Sequence, residues 1–289
     1  MEAGKDDKVQ LVLNGLTVTN TDAPAIYVKS ADKVFITVSG DSALSVTEAF
    51  DSGDKADGVI YSKSDLVLNG DAALSIESSE NGIVGKDDLK ITGGTYSITA
   101  GDTAIEANDS IRISDGILVL AAGSDGLHAE NSSDDTLGYI YIAGGTIAIE
   151  AQDDGIHAAS VVEINDGKIT VTAAEGIEGT YIQLNGGTLS LNGRDDGINA
   201  GQKSAAYDAK IEINGGSVTV TMASGDTDGI DSNGDIVING GTVNVTGGSA
   251  FDCDGTAEYT GGTIIVNGEK LSYIPTQSMG GRGTSSRRG

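Results

Sequence analysis

The sequence predicts an all-β fold: a single-stranded, right-handed parallel β-helix of about ten coils, each with 21–23 residues and three short strands. Three observations predict it. One phrase recurs along the chain, its apolar residues alternate with polar ones, and the chain turns with 43 glycines but only 2 prolines. A fixed period of this length is typical of solenoids, in which each repeat contacts its neighbours.

The recurring phrase runs Ile-x-Ile-Asn-Gly-Gly, then Thr-Val-x-Val-x-Ala, then, after a short loop, Asp-Gly-Ile-x-Ala. The spacing of the third segment measures the period, and most spacings are 21–24 residues. The two longest spacings predict loop insertions. The first residue of this segment recurs at Asp57, Asn81, Thr103, Asp125, Asp154, Glu175, Asp196, Asp228 and Ser249.

The alternation within each phrase has period two, which indicates strands and excludes amphipathic helices. A hairpin meander is the main structural alternative, because Asn-Gly also forms hairpin turns. Three strands per repeat favour the coil, since an odd number returns the chain to the same face in the same direction. The inward residues would then stack between coils, as in the set Ile211, Ile213, Val218, Val220 and Ile230.

The Asn-Gly-Gly corner recurs at Asn185, Asn214 and Asn239. Glycine allows the positive φ that a sharp corner needs. We expect the asparagines to stack and to bond the backbone amides of adjacent coils, which is a structural role. The predicted organisation is one β-helix domain over residues 1–275 and a disordered Gly/Arg-rich tail over 276–289.

The formal net charge of −26 limits the possible partners. Nucleic acid is excluded, because phosphate binding needs lysine and arginine. No stretch is long and apolar enough to insert into a membrane. We expect a monomer whose natural partners are cations, or polyanions bridged by cations.

The third segment carries ionisable residues on both sides of its glycine, so stacked coils would place carboxylates about 4.8 Å apart. Such a column repels itself unless cations lie between the coils, and calcium accepts several carboxylate and carbonyl oxygens. An alternative is that Asp-Gly only turns the corner. The sequence predicts several calcium ions with ligands among Asp125, Asp153, Asp154, Glu178, Asp195, Asp196, Asp228 and Asp231.

Insertions at 130–138 and 201–209 follow this segment, and extended connections at 47–56 and 223–227 precede it. Long loops beside one strip of a regular coil predict the walls of a groove.

Several phrases together suggest a family. They include Asp-Lys-Val-Gln-Leu-Val-Leu-Asn-Gly at 7–15, Ala-Ile-Tyr-Val at 25–28 and Gly-Tyr-Ile-Tyr-Ile at 138–142. Over roughly residues 7–275 the chain resembles the secreted bacterial carbohydrate-binding domain proteins of β-helix fold, which are similar in shape to pectate lyases. The resemblance implies an extracellular or cell-surface location, bound calcium, and binding of plant cell-wall polysaccharide such as pectin (polygalacturonate) or cellulose.

The function predicted from these observations is non-catalytic, calcium-dependent binding of an acidic or neutral polysaccharide along the acidic corner. Tyrosines would stack on sugar rings, and the histidines would bind hydroxyls or line the face. Arg194 would pair with the neighbouring aspartates. The predicted ligand-binding residues are Glu106, His128, His157, Arg194, Asn199, Tyr139 and Tyr207.

Three alternatives stay open. A polysaccharide lyase would use calcium-assisted β-elimination with a basic residue, for which Arg194 is the candidate in the corner, and Lys203 and Lys210 lie on or beside the adjacent insertion. A cell-surface adhesin would use the same face for attachment. A hydrolase with paired carboxylates also fits the many aspartates, which makes that match unspecific.

Overall fold

The computed structural model describes residues 1–51, 55–225 and 227–276. Over these ranges the chain is a parallel β-helix, as predicted, with three strands in each coil. Equivalent strands of successive coils pair in parallel and form three faces around one core, which we call sheets 1, 2 and 3. Sheets 1 and 3 are joined into one 19-stranded sheet, and sheet 2 is a separate 12-stranded sheet.

Sheet 1 holds the strands that precede the asparagine corner. They are β1 Lys8–Asn14, β4 Lys33–Gly40, β7 Asp65–Gly70, β10 Asp88–Ile91, β13 Ser110–Ile113, β16 Tyr139–Ile142, β23 Lys210–Ile213, β26 Asp235–Ile238 and β29 Ala257–Tyr259.

Sheet 2 holds the threonine-rich strands, and its last member, β31, pairs antiparallel with β30. The strands are β2 Thr17–Asn20, β5 Ser42–Val46, β8 Ala73–Ser78, β11 Thr95–Ala100, β14 Ile117–Ala122, β17 Thr146–Ala151, β19 Lys168–Ala173, β21 Thr188–Gly193, β24 Ser217–Met222, β27 Thr242–Thr246, β30 Thr263–Val266 and β31 Glu269–Leu271.

Sheet 3 holds the acidic segment. Its separate strands are β3 Ile26–Val28, β6 Gly58–Ser62, β9 Asn81–Gly85, β12 Ile105–Ala107, β15 Leu127–Ala129, β22 Asp196–Ala200, β25 Asp228–Ser232 and β28 Ser249–Cys253. In two coils the strand continues without a break from sheet 3 into sheet 1, as β18 Asp154–Ile164 and β20 Glu175–Leu184.

The core is a stack of aliphatic side chains because the coils pair in register. Ile211 lies opposite Ile182 of the preceding coil and Ile236 of the next. The five residues of one coil that were predicted to point inward are at most 1% exposed: Ile211, Ile213, Val218, Val220 and Ile230. Burial of each such side chain stabilises the fold by about 1.5–3 kcal/mol.

The asparagine corner stacks as predicted, but the amides bond to one another and not to the backbone. Asn185 Nδ2 donates to Asn165 Oδ1, Asn214 Nδ2 to Asn185 Oδ1, and Asn239 Nδ2 to Asn214 Oδ1, each at 2.8 Å. The second glycine of the corner has a positive φ, for example +77° at Gly216. An amide carries both donors and acceptors, so a column of identical amides satisfies itself.

Two of the predicted insertions are loops that meet each other. The loop 130–138 joins β15 to β16, and the loop 201–209 joins β22 to β23. Ser204 Oγ donates to the carbonyl of Asp135 at 2.6 Å. Thr180 Oγ1 accepts the backbone N–H groups of Lys203 and Ser204. The 201–209 loop is therefore held against the coil below it and against the earlier insertion.

The predicted connections 47–56 and 223–227 contain residues outside the described ranges, as does the predicted tail 276–289, of which only Thr276 is described. Among the described residues, no helix has the length and apolar character needed to cross a membrane.

Candidate functional site

The outer surface of sheet 3 carries two columns of polar residues in register. The rim column directly precedes a small residue, glycine in most coils and alanine after Thr103 and Ser249. It consists of Asn81, Thr103, Asp125, Asp154, Glu175, Asp196, Asp228 and Ser249. The face column lies three residues further on and consists of Tyr27, Tyr61, Val84, Glu106, His128, His157, Glu178, Asn199, Asp231 and Asp252. The predicted stacking of ionisable residues is present, although Gly58 and not Asp57 lies opposite Asn81.

The glycine between the two columns is required by packing. A Cβ on Gly155 would lie 2.1 Å from Val171 Cγ1 and 2.7 Å from the carbonyl oxygen of Gly176. Its φ is not positive. The glycine therefore lets sheet 3 approach sheet 2 closely, and this close approach partly buries the adjacent carboxylates.

The central coils form what we call the histidine half: Asp125, His128, Asp154, His157 and Glu178. His128 Nδ1 lies 2.6 Å from Asp125 Oδ2, and His157 Nδ1 lies 2.7 Å from Asp154 Oδ2 and 2.8 Å from Glu178 Oε2. The two imidazole rings are stacked with centroids 4.6 Å apart. The histidines thus act as the counter-charges of this half.

These contacts shift the protonation equilibria of the histidine half. Burial lowers the pKa of His157, but the hydrogen bonds to Asp154 and Glu178 outweigh it and raise the pKa to about 10. Burial also acts to raise the pKa of Glu178, but His157 and Lys203 together lower it to about 2. Lys203, from the 201–209 loop, places its Nζ 2.6 Å from Glu178 Oε1. His157 is a cation and Glu178 an anion at neutral pH.

The following positions of the two columns form the acid half. Its members are Glu175, which shares β20 with Glu178, and Asp196, Asn199, Asp228 and Asp231 of the next two coils. Its contacts are hydrogen bonds within the half. Asn199 Nδ2 donates to Glu175 Oε2 at 3.1 Å, and the backbone N–H of Asp228 donates to Asp196 Oδ1 at 3.2 Å. No lysine, arginine or histidine in the described part of the chain forms an ion pair with these carboxylates.

Burial and the charges of neighbouring carboxylates raise the pKa of three carboxyl groups of the acid half. Burial, followed by the charges of Glu178 and Asp154, raises the pKa of Glu175 to about 8. Burial and neighbouring aspartates raise the pKa of Asp196 and of Asp231 to about 6. These carboxyl groups therefore bind a proton more tightly than ordinary carboxyl groups do, and a bound cation could take the place of that proton.

Asn199 Oδ1 is a buried acceptor without a hydrogen-bond partner among the described residues. A buried amide oxygen left unpaired costs about 1–3 kcal/mol. It lies in the face column between Glu178 and Asp231, where a cation would find it beside carboxylates.

The remaining predicted site residues lie in several places. Asp153 and Asp195 are exposed. Glu106 Oε1 accepts from Lys86 at 2.5 Å. Tyr139 lies on sheet 1 with its ring centroid 5.7 Å from the guanidinium carbon of Arg112. Tyr207 is partly buried within the 201–209 loop.

Arg194 differs from the prediction. Its guanidinium donates to the carbonyls of Ala151 and Gln152 at 3.3 and 2.6 Å. Among the described residues it forms no ion pair with Asp195 or Asp196. The guanidinium of Arg194 therefore contacts backbone carbonyls of an earlier coil and not the carboxylates of its sequence neighbours.

Two sets of ligand atoms are close enough to hold a metal ion, in the described part of the chain. Asp125, His128 and His157 form one set, and Asp154, His157 and Glu178 the other, with all atoms of a set within 4.8 Å. Imidazole nitrogen suits transition metals better than calcium. The acid half offers oxygen ligands alone, which suit calcium, although its carboxylates are less tightly gathered.

One residue of the site and one kind of contact were missed from sequence. Glu175 occupies the rim column but was not among the predicted ligands. The pairing of each histidine with an aspartate three residues before it was also missed, although Asp125-x-x-His128 and Asp154-x-x-His157 repeat the same spacing. That repeated spacing was the available signal.

Comparison with known proteins gives a consistent result. A family model described as carbohydrate-binding domain-containing protein matches residues 1–223 and 177–270. A protein of Acetivibrio thermocellus with the same description is 37% identical over 107 residues, which are 35% of this chain and 37% of that protein. A solved structure described as the polysaccharide lyase-like protein from C. thermocellum, gadolinium derivative, is 33% identical with a TM-score of 0.56. The aligned region covers 69% of this chain and 77% of the solved chain.

Proposed function

The chain belongs to the family of carbohydrate-binding domain-containing proteins, and we propose that it binds an acidic polysaccharide through calcium ions held by the acid half. The observation that carries this proposal is the column of partly buried carboxylates without a cationic partner among the described residues. The binding would take place outside the cell, where calcium is abundant.

Calcium suits this half for two reasons. It accepts about six to eight oxygens from carboxylates, carbonyls and amides, so it would also satisfy Asn199 Oδ1. Its charge would remove the repulsion that raises the pKa of Asp196 and Asp231. Because the ion would draw the carboxylates together, binding would also stiffen successive coils against each other.

The glycan would complete the coordination. Each uronate of a polygalacturonate-like chain carries a carboxylate, and a calcium ion bound at an outward face can accept it directly. Coils repeat at about 4.8 Å, so a chain lying along the helix axis would pass one residue of each column at every coil and would meet the carboxylates of the acid half in succession. The loops 130–138 and 201–209 flank this path.

Binding is favoured over β-elimination by the state of the basic residues. A lyase needs a neutral base beside the sugar. Contacts with Glu178 raise the pKa of Lys203 despite its partial burial, so this ammonium stays protonated. Arg194 is bound to backbone carbonyls. Lys210 Nζ is paired with Glu212 at 2.9 Å. Each basic residue that the sequence offered as a catalyst therefore has another partner.

The test compares thermal unfolding and polygalacturonate binding in EDTA and in millimolar calcium. The variant Asp196→Asn/Asp231→Asn removes two carboxylates from the acid half. The variant Asp115→Asn/Asp166→Asn makes the same charge change at two exposed aspartates of another corner. We expect calcium to stabilise the parent and the control, and to promote glycan binding by both, but to have little effect on the acid-half variant.

Equal calcium responses in both variants would overturn the assignment to the acid half. Ultraviolet absorbance of unsaturated sugar, recorded in the same mixtures, separates the alternatives: growth with time would identify a lyase. If calcium has no effect on the parent, the acidic corner has a purely structural role.

A further inference from the structure

A cleft of about 410 Å³ lies beside Glu106 and His128 of the face column. These two residues line one part of it together with Asn108, which directly follows β12. Another part of the lining is the beginning of the 130–138 loop. The cleft has the volume of sites that hold small ligands. No member of the acid half lines it, so it is a separate feature of the same face.

The loop that borders the cleft is fixed by hydrogen bonds within the chain. Asn131 Oδ1 accepts the backbone N–H groups of Ser133 and Asp134 at 2.9 and 3.0 Å. The Nδ2 of the same asparagine donates to Asp109 Oδ1 at 2.6 Å. At the other end of the loop, the backbone N–H of Gly138 donates to the carbonyl of Asp109 at 2.8 Å. Because both ends are fastened to the preceding coil, a ligand would order few groups of the loop on binding.

Three polar side chains of the lining have no hydrogen-bond partner in the part of the chain that the structure describes. They are the amide of Asn108 and the hydroxyls of Ser132 and Ser133. Amides and hydroxyls both donate and accept hydrogen bonds. Beside them, Glu106 is held by Lys86 at 2.5 Å, and its carboxylate oxygens can accept further hydrogen bonds. A ligand that matches this lining carries donors and acceptors close together, as the hydroxyl groups of a sugar do.

The charges of the lining disfavour an anion. Glu106, Asp109 and Glu130 contribute three carboxylates, and Lys86 and His128 contribute two basic groups. Each basic group already contacts a carboxylate. An acidic sugar would therefore meet an excess of negative charge, whereas a neutral sugar can donate its hydroxyls to the carboxylates without like-charge repulsion. This chemistry differs from that proposed for the acid half, which needs a cation.

We propose that the cleft is a metal-independent subsite for one neutral hexose of a polysaccharide. Asn108, Ser132 and Ser133 would bind its hydroxyl groups, and Glu106 would accept a further hydrogen bond from them. Because Glu106 and His128 also belong to the face column, a glycan lying along that column would pass the cleft. This inference rests on the proposed function for its ligand class, a polysaccharide. It adds that one part of the same face binds a neutral sugar without calcium.

The test measures the binding of tetrasaccharides by calorimetry in EDTA. The neutral probes are cellotetraose and β-1,4-galactotetraose, and tetragalacturonate is the acidic probe of the same length. The variant Asn108→Leu/Ser132→Ala/Ser133→Ala removes the three polar groups with little change in side-chain volume. We expect the parent to bind a neutral probe more tightly than tetragalacturonate, and the variant to bind that neutral probe about tenfold more weakly. Raised salt should leave this binding unchanged, because no ion pair carries it.

The control makes the same three changes on the outer surface of sheet 2, where Ser75 and Ser97 lie opposite each other on paired strands. This control, Ser75→Ala/Ser97→Ala/Asn244→Leu, should bind like the parent. The smaller variant Ser132→Ala/Ser133→Ala changes exposed positions only and should lose part of the affinity. It keeps the test decisive if Asn108→Leu weakens the fold, which thermal melts of every variant would show.

Equal affinities of the cleft variants and the control for the neutral probes would overturn the inference. A parent that binds neither neutral probe in EDTA, or that binds tetragalacturonate more tightly there, would also overturn it.

The outcomes separate this inference from the proposed function, which is tested with polygalacturonate in calcium. If calcium has no effect on the parent but the cleft variants lose affinity for the neutral probe, the inference stands and the calcium proposal fails. If the parent binds polygalacturonate only in calcium and binds no neutral probe, the calcium proposal stands and the inference fails.

Discussion

The histidine half and the acid half are successive stretches of the same two columns, built on the same backbone register, yet they balance their charge differently. In the histidine half, His128, His157 and Lys203 lie within 2.8 Å of the carboxylates they neutralise. In the acid half, within the described part of the chain, Glu175 accepts from the Asn199 amide and Asp196 from the backbone N–H of Asp228, and neither has a cationic partner.

The comparison shows what a repeat imposes on its surface. A coil that stacks in register brings every outward carboxylate close to the next one, whatever its function. The repulsion can be removed by a cation encoded in the chain or by a cation taken from solution. The first solution gives a half whose stability depends on pH, and the second would give a half whose stability depends on a metal ion.

The largest effect is expected from His157→Ala. It leaves Asp154 and Glu178 partly buried without their shared cation, which should lower the free energy of unfolding by about 3 kcal/mol. Urea unfolding at pH 6 measures it. His128→Ala is the matched control and should cost less, because its ring contacts a single buried carboxylate. Similar losses in both would show that the two histidines are equivalent.

The same variant gives the pH prediction. The pKa of His157 in the folded chain, about 10, is above its ordinary value. Its contribution to stability is therefore complete below about pH 6.5 and is lost as the pH rises through about 10. We expect the difference between the parent and His157→Ala, both in EDTA, to shrink steadily over this range. A constant difference would mean that the ring acts by packing alone, and NMR titration of its carbon-bound protons gives an independent pKa.

A smaller effect is expected when the acid half is given its own cation. Asn199→His places an imidazole between Glu178 and Asp231 in the face column. Calcium at 100 times its Kd would stabilise the parent by about 2.7 kcal/mol, and the variant should lose most of that increment. Asn244→His, on the outer surface of sheet 2, is the control and should keep it. An unchanged response at Asn199→His would place the ion elsewhere.

The smallest effect is expected from Lys203→Met. Its side chain is 42% exposed, so the loss of its ion pair with Glu178 should cost no more than about 1 kcal/mol. Lys168→Met, at an exposed position of sheet 2, should cost less still. Chemical unfolding at low and high salt measures both variants. A loss at Lys203 that is independent of salt would contradict an electrostatic role.

The sequence predicted the coil, the sheets and the two columns because period and register follow from residue spacing alone. Ile211 and its neighbours could be assigned to the core since only one phase of the alternation buries them. The one-residue offset at Gly58 was not predicted, because Asp57-Gly58-Val59 has one residue more than the phrase.

The pairing of charged side chains was harder to predict, since it depends on the length and the rotamer of each side chain. Spacing placed His157 beside Glu178, but did not show that its Nδ1 contacts both Glu178 and Asp154. Arg194 was expected beside Asp195 and Asp196 because they adjoin it in sequence, whereas its long side chain reaches carbonyls of an earlier coil. Lys203 lies on an insertion that no repeat pattern describes. The calcium ligands and the polysaccharide remain predictions.

The contact between Ser204 and Asp135 has a mechanical consequence. In a solenoid each coil is held by its immediate neighbours, so tension on the two ends should detach coils one at a time from the stack. The loops 130–138 and 201–209 join coils that are three steps apart. The coils between them are therefore expected to resist extension as one block, which would keep the histidine half intact under tension.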